Sequence, residues 1–238
     1  MNATLRMIRW DMLLQIRSHL YSATAMATLS LCLVGALLHP LDISEKLLAL
    51  LLFADPAVIG LTLTGAFVLM ERGNNTLLAL AVSPLRGSTY VFAKIATFSG
   101  LGILSGIAVA IAASDGDLRF AIMLPSLSLT NAAAVLFGFA LVTRANSVNS
   151  FLVHMSVALL IMVVPFIPYL DETSNNALLM LALIPSYSML VLLEAGFAEA
   201  SISLAQYLLN CSYVMVWIII GWFWAVREYQ NHIRLGGA

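Results

Sequence analysis

Few residues in this chain could do chemistry, and they are scattered. Asp55 stands in the apolar run LLFADPAVIG. An ionisable residue inside such a run is a functional hypothesis by default, here as a substrate or proton carboxylate. A second reading is local. Asp55 can cap a helix whose first residue is Pro56, since proline has no N–H to leave unpaired. Residues 47–54 would then be a separate outer helical turn. His154 and Asn131 also lie in apolar runs, as a ligand contact or packing residue and as an interhelical hydrogen-bonding group respectively. With Pro185, these residues are candidates for a substrate path. Ser105-Gly106 and His154 are the only elements of an intramembrane serine protease, and the nucleophile lacks a G-x-S-G context. No G-x-x-x-x-G-K-[ST] loop, H-E-x-x-H motif or metal-spaced Cys/His cluster is present. The chain therefore cannot hydrolyse ATP alone, and no cofactor or metal is expected on it.

The elements that position these residues follow from hydropathy. The 238 residues are 61% hydrophobic and 10% charged, with mean hydropathy +0.97. A bilayer core of ~30 Å needs ~20 apolar residues per helix. Six such spans are read: 20–38, 47–70, 90–113, 120–142, 148–169 and 207–226. Backbone groups must be satisfied internally in lipid, so these are helices. Nothing alternates with the period of a membrane barrel. Arg6, Arg9 and Arg17 before the first run resemble a signal peptide, but no small-residue cleavage site follows, and the run is read as a retained span. Cys32 and Cys211 both fall in apolar runs and read as packing residues.

Charge gives the sidedness. With the N-terminus inside, Arg6, Arg9, Arg17, Arg72, Arg86, Lys94, Arg144, Arg227 and Arg234 share one side, 9 of the 11 basic residues. Only Lys46 and Arg119 fall on the other. The positive-inside rule puts both termini in the cytoplasm. A further apolar stretch, 177–193, cannot be a seventh span without moving Arg227 and Arg234 outside. With Pro185 in it, it reads as a broken, re-entrant or surface-lying segment within an outer region 171–200.

Two segments remain. Residues 1–19 form an amphipathic helix with Leu5, Ile8, Met12 and Ile16 on one face and Arg6, Arg9 and Arg17 on a neighbouring sector. Trp10 suits the membrane interface. Between the second and third spans lies ERGNNTLLALAVSPLRGSTYVFAK, Glu71 to Lys94. It is too long and too apolar for a simple loop. It reads as a short cytoplasmic helix in region 71–89, stopped by Ser83-Pro84 and fenced by Glu71, Arg72, Arg86 and Lys94.

These features resemble the ABC-2 family of ABC transporter permeases. RMIRWDMLLQIRSHLY matches that family's elbow helix. The Glu71–Lys94 stretch is similar to its pattern of an acidic residue, a GT-like pair, a leucine-rich turn, S/T-P-L and a lysine opening the third span. The broken outer segment with Pro185 is the third match. The opening RWDMLLQIR with VSPLRGSTYVFAK is most similar to a subgroup of actinobacterial-type permeases identified as fluoroquinolone or drug exporters. Asn74-Asn75 depart from the pattern, standing where many relatives have a charged residue or glycine. The resemblance covers residues 1–238 as a single permease domain. It implies an all-α membrane protein in a prokaryotic plasma or inner membrane: six transmembrane helices, an elbow helix (Arg6, Arg9, Trp10, Arg17), a coupling helix and a broken outer segment. It implies a homodimer or heterodimer of permeases with a separate ATP-binding cassette ATPase, which binds the ATP and Mg. Glu71, Arg72, Gly73, Asn74, Asn75, Leu77, Leu80, Ser83, Pro84, Arg86 and Lys94 would couple the two, and the cargo would be hydrophobic or amphiphilic. The competing expectations are an ion- or proton-coupled carrier, which usually shows paired repeats not found here, and a non-transporting assembly factor. No nucleic-acid partner is expected.

Overall fold

The computed structural model describes residues 3–38, 40, 43–74, 76, 86–114, 117–145, 147–170, 183–198, 200 and 202–234. Helix α1 (Ala3–Arg17) leads through a tight break into α2 (Leu20–Leu38). His19 makes the break, with φ 56°, a left-handed conformation that histidine adopts more readily than most side chains. The second span joins α3 (Glu45–Pro56), a π-helical segment (Ala57–Leu63) and α4 (Thr64–Gly73) without interruption. Then come α5 (Gly87–Ser114), α6 (Phe120–Thr143), α7 (Val148–Val163), α8 (Phe166–Leu170), α9 (Pro185–Glu194) and α10 (Leu204–Glu228). Among the described residues, six helical runs are long and apolar enough to cross a membrane: Leu20–Leu38, Glu45–Gly73, Gly87–Ser114, Phe120–Thr143, Val148–Leu170 and Leu204–Asn231. The expected all-α, six-span architecture is the observed one.

The spans divide into an inner and an outer set. The second, third and fourth are 56%, 44% and 50% buried along their apolar windows, against 17%, 11% and 22% for the first, fifth and sixth. Lipid tails supply no hydrophobic drive between helices, so close packing relies on small residues. Gly60 and Gly138 do this work between the second and fourth spans. A Cβ on Gly138 would lie 2.5 Å from the Leu61 carbonyl oxygen and 2.7 Å from that of Gly60.

The π-helical segment has a local cause. Pro56 has no N–H to give the helix and its ring crowds the preceding turn. The chain relaxes into a wider turn just beyond it. Thr62 and Thr64 hydroxyls donate to the carbonyls five residues back, Ala57 (3.2 Å) and Ile59 (3.4 Å). This overturns the capping reading of Asp55: the helix starts after Ser44 and runs through Asp55 and Pro56, so no helix begins there.

At the pole away from α1, α9 packs against the second, fourth and sixth spans. Of the 177–193 stretch, residues 177–182 lie outside the described residues. Helix α9 has ten residues, about 15 Å long and too short to cross. Pro185, Ser186, Met189, Leu190, Leu192 and Leu193 are buried, so α9 packs within the helical bundle. Hydrogen bonds pin it: Ser186 to the Met162 carbonyl (2.8 Å), Tyr169 to Glu194 Oε2 (2.7 Å) and Tyr213 to the Leu183 carbonyl (2.5 Å). Arg119 closes this pole by donating to the carbonyls of Ala198 and Ala200.

Candidate functional site

At the opposite pole, where α1 and the end of α10 lie, charges meet inside the protein. Lys94, in the second turn of α5, is fully buried. Its ammonium donates to Asp11 Oδ1 of α1 and to Glu71 Oε1 of α4, the latter at 2.8 Å. A third side of the ammonium rests over the Phe67 ring, 4.1 Å from its centroid. Asp11 and Glu71 are buried as well. Bare charges at this depth would be prohibitive, and all four carboxylate oxygens are hydrogen-bonded accordingly, while Gln15 Oε1 is buried with no partner among the described residues. Thr97 donates to Asp11 Oδ2 at 2.5 Å, and Gln15 Nε2 donates to the same oxygen at 2.9 Å and to Thr97 Oγ1 at 3.0 Å. The Tyr90 hydroxyl donates to Glu71 Oε2. The cluster carries two carboxylates and one ammonium, a formal charge of −1.

The local fold explains how α1 delivers its share. Met7, Asp11 and Gln15 are buried and lie four residues apart, one stripe of a helix. The apolar face faces outward: Leu5 is 57% exposed, Met12 42% and Ile16 59%. The helix thus docks on α5 through its polar stripe and presents its apolar one to lipid or a partner. Arg6, Arg9, Trp10 and Arg17 are exposed along it.

The cluster extends to the other spans. Tyr90 stacks on Tyr229, centroids 4.9 Å apart, beyond the end of α10. Arg72 Nη1 donates to the Ala145 carbonyl at 2.6 Å, at the end of the fourth span. Arg144 Nη2 pairs with Glu228 Oε1 at 3.0 Å, and Trp224 Nε1 donates to the same oxygen. The helix ends at this pole are therefore cross-tied, by Arg72 and Tyr90 on the two flanks of residues 75–85 and by the Arg144–Glu228 pair between the fourth and sixth spans.

Of the residues expected to couple, the structure brings Glu71 and Lys94 together and sets Arg72 beside the fourth span. Gly73, Asn74 and Arg86 are exposed; Asn74 ends α4, and Arg86 offers its carbonyl to the first turn of α5. Asn75, Leu77, Leu80, Ser83 and Pro84 lie outside the described residues. Sequence reasoning missed Asp11, Gln15, Tyr90 and Thr97. The four-residue spacing of Met7, Asp11 and Gln15 was the available signal.

The substrate-path candidates do not converge. Asp55, 2% exposed, is hydrogen-bonded to Ser105, and Ser105 Oγ is 2.6 Å from Thr28 Oγ1. Asn131 is buried against Gly102 and donates to the Leu127 carbonyl at 3.0 Å. His154 is exposed on α7, bonded to the Ser150 carbonyl at 2.6 Å, and Pro185 is the buried first residue of α9. Ser105, bonded to Asp55 and Thr28, and His154, bonded to Ser150, are the two elements of the protease reading and share no hydrogen bond among the described residues.

The profile of the fluoroquinolones export permease protein family matches residues 2–234. The chain belongs to this family. Two relatives in Mycobacterium tuberculosis, fluoroquinolones export permease protein MT2761 (strain CDC 1551 / Oshkosh) and Rv2687c (strain ATCC 25618 / H37Rv), are each 25% identical over 198 residues. The match covers 82% of this chain and 81% of each relative. The family and the six spans together make this a multi-pass membrane protein and a transport permease. The buried cluster is built from residues of α1, α4 and α5, all within the matched region.

Proposed function

We propose that this permease is the membrane half of an ABC-2 type exporter, driven by a separate ATP-binding cassette ATPase. The observation that carries the reading is the buried Asp11–Lys94–Glu71 cluster. Helix α4 ends just after Glu71 and α5 begins just before Lys94, so residues 75–85 connect the two helices in sequence. A push on that stretch reaches two spans and the elbow helix together, because the ion cluster fastens all three. Such fastening is of direct use to a subunit that receives force from outside. The ATPase, with its ATP and Mg, docks at the 75–85 stretch and the exposed Arg6, Arg9 and Arg17. Two permeases, alike or different, complete the assembly in a prokaryotic plasma membrane with both termini in the cytoplasm, as the distribution of basic residues favours. The cargo is a drug-like amphiphile, in keeping with the names of the relatives.

The test is co-expression with candidate ATPases, followed by co-purification, ATP turnover and efflux from vesicles. An ATPase is expected to co-purify, and Leu80→Glu to abolish its binding while leaving the melting temperature of the permease unchanged. If none binds, and efflux persists after ATP is exhausted, the reading fails.

A further inference from the structure

Asp55 is explained neither by the ion cluster nor by ATPase docking. It sits in the middle of the second span, between the first and third. Its Oδ1 contacts Ser105 Oγ, Ser105 Oγ contacts Thr28 Oγ1, and Thr28 Oγ1 reaches the Thr24 carbonyl at 2.9 Å. Three oxygen–oxygen contacts need three hydrogens. Ser105 and Thr28 bring one each. With an ionised carboxylate one contact would set lone pair against lone pair. A hydrogen on Asp55 completes the chain in one direction: the carboxyl donates to Ser105, Ser105 to Thr28, and Thr28 to the Thr24 carbonyl. Asp55 Oδ2 is buried with no partner among the described residues. A neutral carbonyl oxygen tolerates that far better than a charged one.

The surroundings agree. The ion pairs among the described residues do not include Asp55. The titratable group facing it from the first span is Cys32. The third span offers Ser105, and the fourth carries no titratable group between Phe120 and Thr143. The titratable groups of α8 and α9, namely Tyr169, Tyr187 and Glu194, gather with Glu45 at the start of α3. That is ten residues from Asp55, about 15 Å along the helix.

We propose that Asp55 is an intramembrane proton site. While the first three spans are packed, the carboxyl holds its proton. When they separate and water enters, the O–H bond breaks, the proton passes to water and a carboxylate remains. The packed state therefore yields to the open one as pH rises, by up to tenfold per pH unit once an exposed carboxyl would ionise, above about pH 4. This holds whether or not ATP drives transport.

Infrared spectroscopy of the full chain in lipid at pH 7, with side-chain carboxyl-labelled aspartate, tests the first half. A label-sensitive carboxylic acid C=O band is expected, lost in Asp55→Asn and retained but shifted in Ser105→Ala. If Asp55→Asn removes only carboxylate bands, the proposal is overturned. The second half is read by labelling Cys32 with a water-soluble maleimide in a Cys211→Ser background. The rate relative to the same chain carrying Asp55→Asn should climb as pH rises; repulsion between a charged Asp55 and a Cys32 thiolate would by itself lower that ratio, so a climb reports opening. A ratio independent of pH overturns the release step.

Discussion

Replacing Lys94 with Met separates the charge of the cluster from its packing. Methionine keeps an unbranched apolar stem of similar length and can still lie against Phe67. What disappears is the ammonium between Asp11 and Glu71, both of which are at most 1% exposed. Removing one partner of a buried ion pair costs about 3–5 kcal/mol, because the remaining charge stays desolvated. Here two carboxylates are left facing each other. For a chain of this size each kcal/mol lowers the melting temperature by roughly 2–4 °C, so the expected loss is about 6–20 °C. Tryptophan fluorescence melts of purified protein in detergent measure it. The triple variant Lys94→Met, Asp11→Asn, Glu71→Gln has no charge to strand and should recover most of the loss. The reasoning is refuted if Lys94→Met melts within about 2 °C of wild type, or if the triple variant melts no higher than the single one.

Gly138→Ala places a methyl against the backbone of Leu61 and Gly60 and should cost about 1–3 kcal/mol through overpacking. Gly100→Ala, with open space around it, should be neutral or stabilising by up to ~1 kcal/mol; thermal melts of the two variants compare them directly. At His19, Gly should be tolerated, whereas Val, whose branched Cβ opposes φ 56°, should lose about 1–2 kcal/mol and loosen α1, seen as faster proteolysis at that break. Arg144→Ala should change the melt by less than ~1 kcal/mol, since its side chain is 58% exposed and the Glu228 contact is screened.

The spans were legible because lipid leaves a sequence few options. Their observed ends fall within a few residues of the hydropathy reading. Glu71 and Lys94 were legible for a related reason, as charges next to long apolar runs. Asp11 was not. In α1 the eye follows the apolar stripe, and that stripe turned out to face outward, because pairing with a buried lysine outweighs burying Leu5 or Ile16. Asp55 misled in the opposite way. The Asp-Pro pair looked like a helix start, whereas Pro56 is absorbed by a wider turn whose threonines bond carbonyls five residues back. That accommodation depends on Gly60 meeting the fourth span, a contact between residues far apart in sequence.

The Lys94–Asp11 bond spans 83 positions of sequence. At a synthesis rate of about 5–20 residues per second, the N-terminal helix waits roughly 4–17 s for its partner to be made. During that interval Asp11 and Gln15 have no native place to go, and two further spans must be inserted before α1 can settle. The first segment of the chain to be made is thus among the later ones to reach its final position, and its docking reports that the third span has been inserted in the correct orientation.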